Sequence, residues 1–430
     1  MEPLRENTNC YMPAFFHMSL TFPFYDAHMV LYNLSKQNRA FFFHEYIHYI
    51  QDLTTYWGLN NAYVYSEFMH EAVNQIYKFP IGNITMPIKV NRVSNNIGVN
   101  QSLVEECTGD YDDKDPFILD VFMKKKKCYF KNPFFDKFEH VYLKLPKGKK
   151  IHFGARAIME SMAYLIEKEI APGGTSVHEY PYKAAESILY TIYPNFAANA
   201  LNIIALCDMS LQFSNPAKIF LQTVQEFKSR NYLPQKPEDI YDYFYERPCI
   251  HMGVKSTLIH GLVEIGITTC ERLKTYLNSS EFKPFHEMLN QMIGTGLNYR
   301  INNRYFILDI VRSGNALYNM PLLNILNELG SPIIKDVTNT YYVIPSYKGL
   351  NNNLQFLVAV EEIYKLFTGE LDGCSMYEWC EKSQRLGTTV DNRCLFSPWE
   401  RCKDKMLCPY AALWKHWNLS NYKPIFSSVK

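Results

Sequence analysis

Residues 41–53 read Phe41-Phe42-Phe43-His44-Glu45-Tyr46-Ile47-His48-Tyr49-Ile50-Gln51-Asp52-Leu53. Ser35 stands at an N-cap position, no Gly or Pro intervenes before Gly58, and apolar residues crowd every face through Leu53. A helix that is apolar all round must be buried. On it, His44 and His48 are four residues apart and project from one face one turn apart, so both imidazoles can grip one cation. Glu45 lies beside them at a distance suited to a water rather than to the ion. Two histidines inside a buried helix need a partner.

That division of labour is the one a metallohydrolase uses. Neutral imidazoles suit Zn2+, which lowers the pKa of a bound water toward about 7. An adjacent carboxylate then takes the proton as the water attacks a carbonyl carbon and delivers it to the leaving amine. Glu45 is therefore expected to be the catalytic base, and His44 and His48 to be metal ligands.

The rest of the chain can support such a core. At 430 residues it exceeds the usual single-core limit, and 47% hydrophobic with 15% aromatic residues is enough to bury a large interior. The formal charge of +1 favours neither a nucleic acid nor an anionic membrane as partner. The basic run Lys124 to Lys127 follows acidic Asp110, Asp112, Asp113 and Asp115, and reads as a solvated loop or hairpin. Residues 1–7 lack the basic start and apolar stretch of a secretory signal, and no apolar run is long enough to span a bilayer. Eleven cysteines without such a signal fit a reducing compartment, so a cytoplasmic location is expected.

Periodicity predicts an α+β protein that is predominantly α-helical. The first segment, to about Leu34, is expected to pack as short extended pieces, and a second helix is expected over 61–77. Residues 81–150 read mainly as strands, a β-rich insertion between helical pieces. Helical segments are predicted near 154–170, 182–211, 216–229, 237–246, 253–277, 280–296 and 304–329, with breaks at Pro172-Gly173-Gly174, Pro194 and Pro216. A strand pair at 333–345, a helix over 353–367 and a cysteine-rich tail follow. The expected organisation is a catalytic region over 1–235 including the insertion, a helical region over 236–370 and the tail over 371–430.

Through His44-Glu45-Tyr46-Ile47-His48 and its apolar flanks, the chain resembles the zincin class of metallopeptidases over about a quarter of its length. The third histidine of the metzincin form is absent after His48, so the pattern looks like the gluzincin branch. There a glutamate on a later helix completes the site.

Two glutamates compete for that role. Glu67 has a spacing that resembles the aminopeptidase branch, with Glu71 one turn later as an outer carboxylate. However, Ser66 stands where that branch has Asn, and its Gly-rich peptide-binding signature is missing. Glu160 sits in a helix with Gly154, Ala157, Ser161 and Ala163, small residues that let one helix approach another closely. Its Glu160-Ser161-Met162-Ala163 order also looks like the Glu-x-x-Ala pattern of gluzincin ligand helices. Glu160 is favoured as the third metal ligand. Asp52 and Asp208 are candidates for an outer carboxylate holding a histidine, and His178 or Tyr180 for an oxyanion donor.

Cys374, Cys380, Cys394, Cys402 and Cys408 fall within 35 residues, interleaved with Trp379, Trp399 and Trp414. Thiolates gathered in this way can hold a structural zinc. The spacings lack the tight pairs of zinc ribbons, and a packing role is favoured slightly.

The function expected from these residues is hydrolysis of peptide bonds in a protein or peptide substrate by a zinc-activated water. Two alternatives use the same motif. A regulatory or binding protein of zincin fold would dispense with Glu45, and a non-peptidase amide or ester hydrolase would keep it.

Overall fold

Helix formation over Lys36–Thr54 begins where Ser35 predicts it, with the Ser35 hydroxyl accepting from the Asn38 N–H at 3.1 Å. Every residue from Phe42 to Thr54 on this motif helix is buried. The computed structural model describes residues 9–24, 30–92, 96–110, 117–127, 137–174, 177–251, 254–347, 353–383 and 390–426. Thr55 breaks the helix with extended backbone and caps the next one, Tyr56–Ile76, by accepting from Gly58 N–H.

The motif helix is enclosed by other helices because its apolar surface leaves no face for water. Tyr56–Ile76, Ala155–Ile170 and Lys283–Asn302 all pack on it, with the strand Cys10–Met12 alongside. The last of these helices crosses at backbone contact: a Cβ on Gly296 would come within 2.4 Å of the Leu53 carbonyl oxygen. The chain is mixed α+β and about 59% helical. Among the described residues, no helix is long and apolar enough to cross a membrane.

Small sheets tie distant stretches together. The strand His17–Ser19 pairs antiparallel with Cys10–Met12 and parallel with Ile333–Lys335, which pairs in turn with Tyr341–Tyr342. The expected extended pieces at the N-terminus and the expected strand pair at 333–345 thus form one four-stranded sheet. His17 Nδ1 lies 2.7 Å from Glu361 Oε2, and Lys365 Nζ lies 2.6 Å from Glu361 Oε1, so this sheet is pinned to the helix Gln355–Thr368.

The 81–150 stretch is less uniformly β than expected. Asp120–Lys127, Lys137–Lys144 and Lys150–Phe153 form an antiparallel meander, and Gly82–Met86 pairs parallel with the distant Tyr422–Phe426. Between them lies a helix, Asn96–Thr108. Its buried face includes the polar side chains of Gln101 and Ser102, which mask the apolar stripe and make Ile97 and Val99 look like strand alternation. Lys124 to Lys127 are exposed at the end of the meander's first strand. Their acidic neighbours 112, 113 and 115 lie outside the described residues. The helical stretch expected over 182–211 breaks at Pro194 as expected and again before Ala200, giving Ala184–Ile192, Pro194–Ala197 and Ala200–Ser210. Pro194 cannot continue a helix, and Asn199 caps the last piece by accepting from Leu201 N–H.

A buried ion pair fixes the far end of the motif helix. Arg300 on Lys283–Asn302 and Asp208 on Ala200–Ser210 are both fully buried and bond through two N–H···O contacts of 2.7 and 2.8 Å. The Tyr241 hydroxyl donates to Asp208 at 2.7 Å, and Arg300 Nε donates to the Thr54 carbonyl at 3.2 Å. Removing one partner strands the other charge in the interior, which typically costs about 3–5 kcal/mol. Arg300→Met is expected to destabilise the protein by that amount in urea denaturation followed by circular dichroism. A loss under about 1 kcal/mol would mean that Asp208 finds a substitute cation or is not buried in solution.

Candidate metal centre

The helical turn separating His44 from His48 sets their rings 5.0 Å apart, centroid to centroid, with planes at 82°. Glu160 comes from the helix Ala155–Ile170, whose Ala157 and Ala163 are fully buried, while the Ser161 hydroxyl donates to the Pro181 carbonyl and accepts from the Ala185 N–H. The small alanines let the two helices close, so a short carboxylate bridges the gap. Glu160 Oε2 lies 3.1 Å from His44 Nε2 and 3.4 Å from His48 Nε2. Among the described residues, His44, His48 and Glu160 are the one group of three or more His, Cys, Asp or Glu with ligand atoms all within 4.8 Å of one another.

These spacings fit zinc. Zinc–ligand bonds of about 2.0–2.1 Å at tetrahedral angles place neighbouring ligand atoms about 3.3 Å apart. The remaining ring nitrogens are already held: His44 Nδ1 lies 3.1 Å from Glu167 Oε2, and His48 Nδ1 lies 2.7 Å from Gln51 Oε1. Gln51 is oriented by donating its own N–H to the Met159 carbonyl at 3.1 Å. With each Nδ1 held from outside, both Nε2 atoms point at Glu160 and the space between.

Charge at the site is mutually dependent. Burial raises the Glu160 pKa, but the charge of His48 and the hydrogen bonds from both histidines outweigh it and hold the carboxyl well below the usual range. Burial lowers the His44 pKa, while the hydrogen bonds to Glu160 and Glu167 carry it well above the ordinary imidazole value. Glu45 is buried beside the pair. Its pKa is raised by burial, partly offset by His44 and His48, and its carboxylate accepts from the Tyr11 backbone N–H.

The second glutamate considered as ligand is engaged elsewhere. Glu67 forms an ion pair with Arg272 on the helix Leu258–Lys274, and Glu71 accepts from Gln75 Nε2. Neither expected outer carboxylate bonds a histidine. Asp208 pairs with Arg300, because a buried carboxylate is most stabilised by a buried guanidinium. Asp52 accepts from the Tyr11 hydroxyl at 3.0 Å and the Ala14 N–H at 3.2 Å, and Tyr11 stacks on His48 at 6.5 Å. Asp52 thus reaches His48 only through an aromatic ring.

Glu167 and Gln51 take the roles expected of those aspartates. Glu167 follows Glu160 by seven residues, two turns along the same helical face, and Gln51 follows His48 by three. Both spacings were readable as same-face positions. Of the candidate oxyanion donors, Tyr180 is occupied in structural bonds to the Asp110 and His152 carbonyls, and His178 is exposed. Tyr182, in the same loop, is the residue that flanks the site, its ring 5.8 Å from that of His44.

Outer partners of metal-bound histidines typically contribute 10–100-fold in affinity. Glu167→Gln and Gln51→Ala are each expected to weaken zinc binding within about that range, read by competition with a chromogenic chelator, while circular dichroism stays unchanged. Unaltered affinity in both would show that the ring orientation is set by packing alone. No protein family model, curated protein or solved structure matches the chain.

Proposed function

We propose that the chain is a zinc-dependent hydrolase of the zincin type that cleaves peptide bonds. The observation that carries this reading is the convergence of His44, His48 and Glu160 at coordination spacing with Glu45 on the adjacent helical position. A histidine pair needed only for packing would not require a carboxylate shared between both Nε2 atoms and a separate acceptor behind each ring.

Zinc bound by His44, His48 and Glu160 would supply Lewis acidity and bring the pKa of a water toward about 7. The chain's own residues then account for the proton. Glu45 accepts one proton from the attacking water and returns it to the leaving nitrogen as the carbon–nitrogen bond breaks. Its raised pKa suits both halves of that transfer, and the Tyr11 N–H keeps its carboxylate in place. Glu167 and Gln51 keep the imidazoles aimed. The class of substrate is supported by the strand Cys10–Met12, which lies at the edge of its sheet beside Glu45. An edge strand can pair with an extended peptide through main-chain hydrogen bonds.

Three substitutions separate the roles. Glu160→Gln should lose zinc and hydrolysis together. Glu45→Gln should retain zinc while turnover falls by about 10²–10⁴-fold, the usual loss for a general base. Glu67→Gln removes the partly buried ion pair with Arg272 on a neighbouring helix and should keep both properties. Zinc content by plasma mass spectrometry and new protein termini in cells expressing each variant provide the readouts. Equal numbers of new termini from the wild type and Glu45→Gln would sink the proposal.

A further inference from the structure

Four of the tail cysteines lie on neighbouring loops of one segment, and the fifth is set apart in the core. Cys374 precedes the helix Tyr377–Ser383, which carries Cys380; Cys394 sits on Arg393–Phe396; and Cys408 is the N-cap of Pro409–His416. The loops are locked together at the backbone. Cys374 N–H donates to the Cys394 carbonyl at 2.9 Å, and a Cβ on Gly373 would lie 2.3 Å from the Leu395 carbonyl oxygen. Cys402, 3% exposed, belongs instead to the apolar core.

The sulfurs are supplied with N–H donors. The Met376 N–H bonds Cys374 Sγ from two residues on, and the Tyr410 and Ala411 N–H groups bond Cys408 Sγ from two and three residues on. The Arg401 guanidinium, 3% exposed, donates to Cys394 Sγ at 2.9 Å. A neutral thiol is a weak acceptor and gains little from such donors, whereas a thiolate is stabilised by each of them. The four sulfurs also sense one another. Burial comes first in raising the thiol pKa of Cys374, Cys380 and Cys408; at Cys374 the Glu362 carboxylate raises it further, ahead of Cys408 and Cys380, while Cys408 and Cys394 act on Cys380, and Cys394 acts on Cys408 after the Ala411 N–H and Arg401 have lowered it.

We propose that Cys374, Cys380, Cys394 and Cys408 bind a structural zinc ion, separate from the histidine site, that clamps the C-terminal segment. Four thiolates around zinc carry a net charge of −2. Arg401 beside Cys394 is placed to offset part of it, while Asp404 fixes the guanidinium from its other side at 3.1 Å. No three of the sulfurs yet lie within 4.8 Å of one another, so binding draws the side chains in toward zinc–sulfur distances of about 2.3 Å. Four thiol protons leave as the ion enters. The segment has reason to need the clamp. It is built of helices of four to eight residues and one short 3-10 turn, elements too short to be stable without tertiary support.

Metal analysis of full-length protein, purified without oxidation, tests this independently of the histidine site. The wild type and Cys402→Ala should each hold two zinc ions per chain. The double variant Cys380→Ala, Cys408→Ala should hold one, and so should His44→Ala, His48→Ala. Because the cysteine variant is exposed to misfolding, a second measurement uses the wild type. Titration with an organomercurial should release one zinc as four thiols react, and cobalt substitution should give sulfur-to-metal charge-transfer absorption. Zinc content unchanged in the double cysteine variant, no zinc released by the mercurial, or recovery of these cysteines as disulfides from native protein would each overturn the proposal. A failure of the histidine site would instead leave the His44→Ala, His48→Ala content equal to that of the wild type, with the cysteine result unaffected.

Discussion

Burial of the motif helix on every side forces most of what surrounds it. His44, Glu45, His48, Gln51 and Asp52 all lie on a buried segment, and an unsatisfied buried polar group costs about 1–3 kcal/mol. Each of the five is therefore met by a specific group. Glu160 and Glu167 meet His44, Gln51 meets His48, Met159 O meets Gln51, and the first strand supplies Tyr11 and Ala14 for Glu45 and Asp52. The polar network is coupled because members share partners: moving Gln51 disturbs His48, and moving His48 disturbs the carboxylate it shares with His44. A coupled network of this kind specifies one arrangement of the helices that carry it.

Close backbone approach makes the network reachable. Glutamate is short, so the helix Ala155–Ile170 must run near the motif helix, and the small Ala157 and Ala163 permit it. Gly296 does the same on the other side, where Lys283–Asn302 meets the Leu53 carbonyl. The Arg300–Asp208–Tyr241 cluster then holds that crossing by gripping the Thr54 carbonyl. The histidine network thus braces the middle of the helix and the arginine cluster its C-terminal end. Displacement at either point would shift the imidazoles relative to Glu160, and ligand geometry tolerates only a few tenths of an ångström.

Outside this centre, stability comes from pairing segments that are far apart in sequence. His17 meets Ile333, Gly82 meets Tyr422, and Glu362 accepts from Ser375. None of these short strands would persist alone, since isolated two-stranded pairings are marginal in water. They hold because the helices beneath them bury one face. The tail joins the same core through Trp399, Tyr410, Leu413, Trp414 and Trp417, with polar contacts to sulfur beside them.

The sequence by itself determined the motif helix, its cap at Ser35, the shared face of His44 and His48, and the small-residue surface around Glu160. Each follows from local rules of periodicity, capping and side-chain size, which act over one or two turns and need no knowledge of the fold. The helix at Asn96–Thr108 escaped the same rules because buried Gln101 and Ser102 interrupt its apolar stripe, whereas the break at Pro194 within 182–211 is legible from proline alone. Only the tertiary structure decided which carboxylates stand behind the histidines. Asp208 and Glu167 are both acidic residues on helices with apolar neighbours, and composition does not distinguish them. Arg300 and His44 do, because a buried charge is stable only where an opposite or hydrogen-bonding partner from another element reaches it. That choice depends on distances across the core, which sequence spacing does not encode.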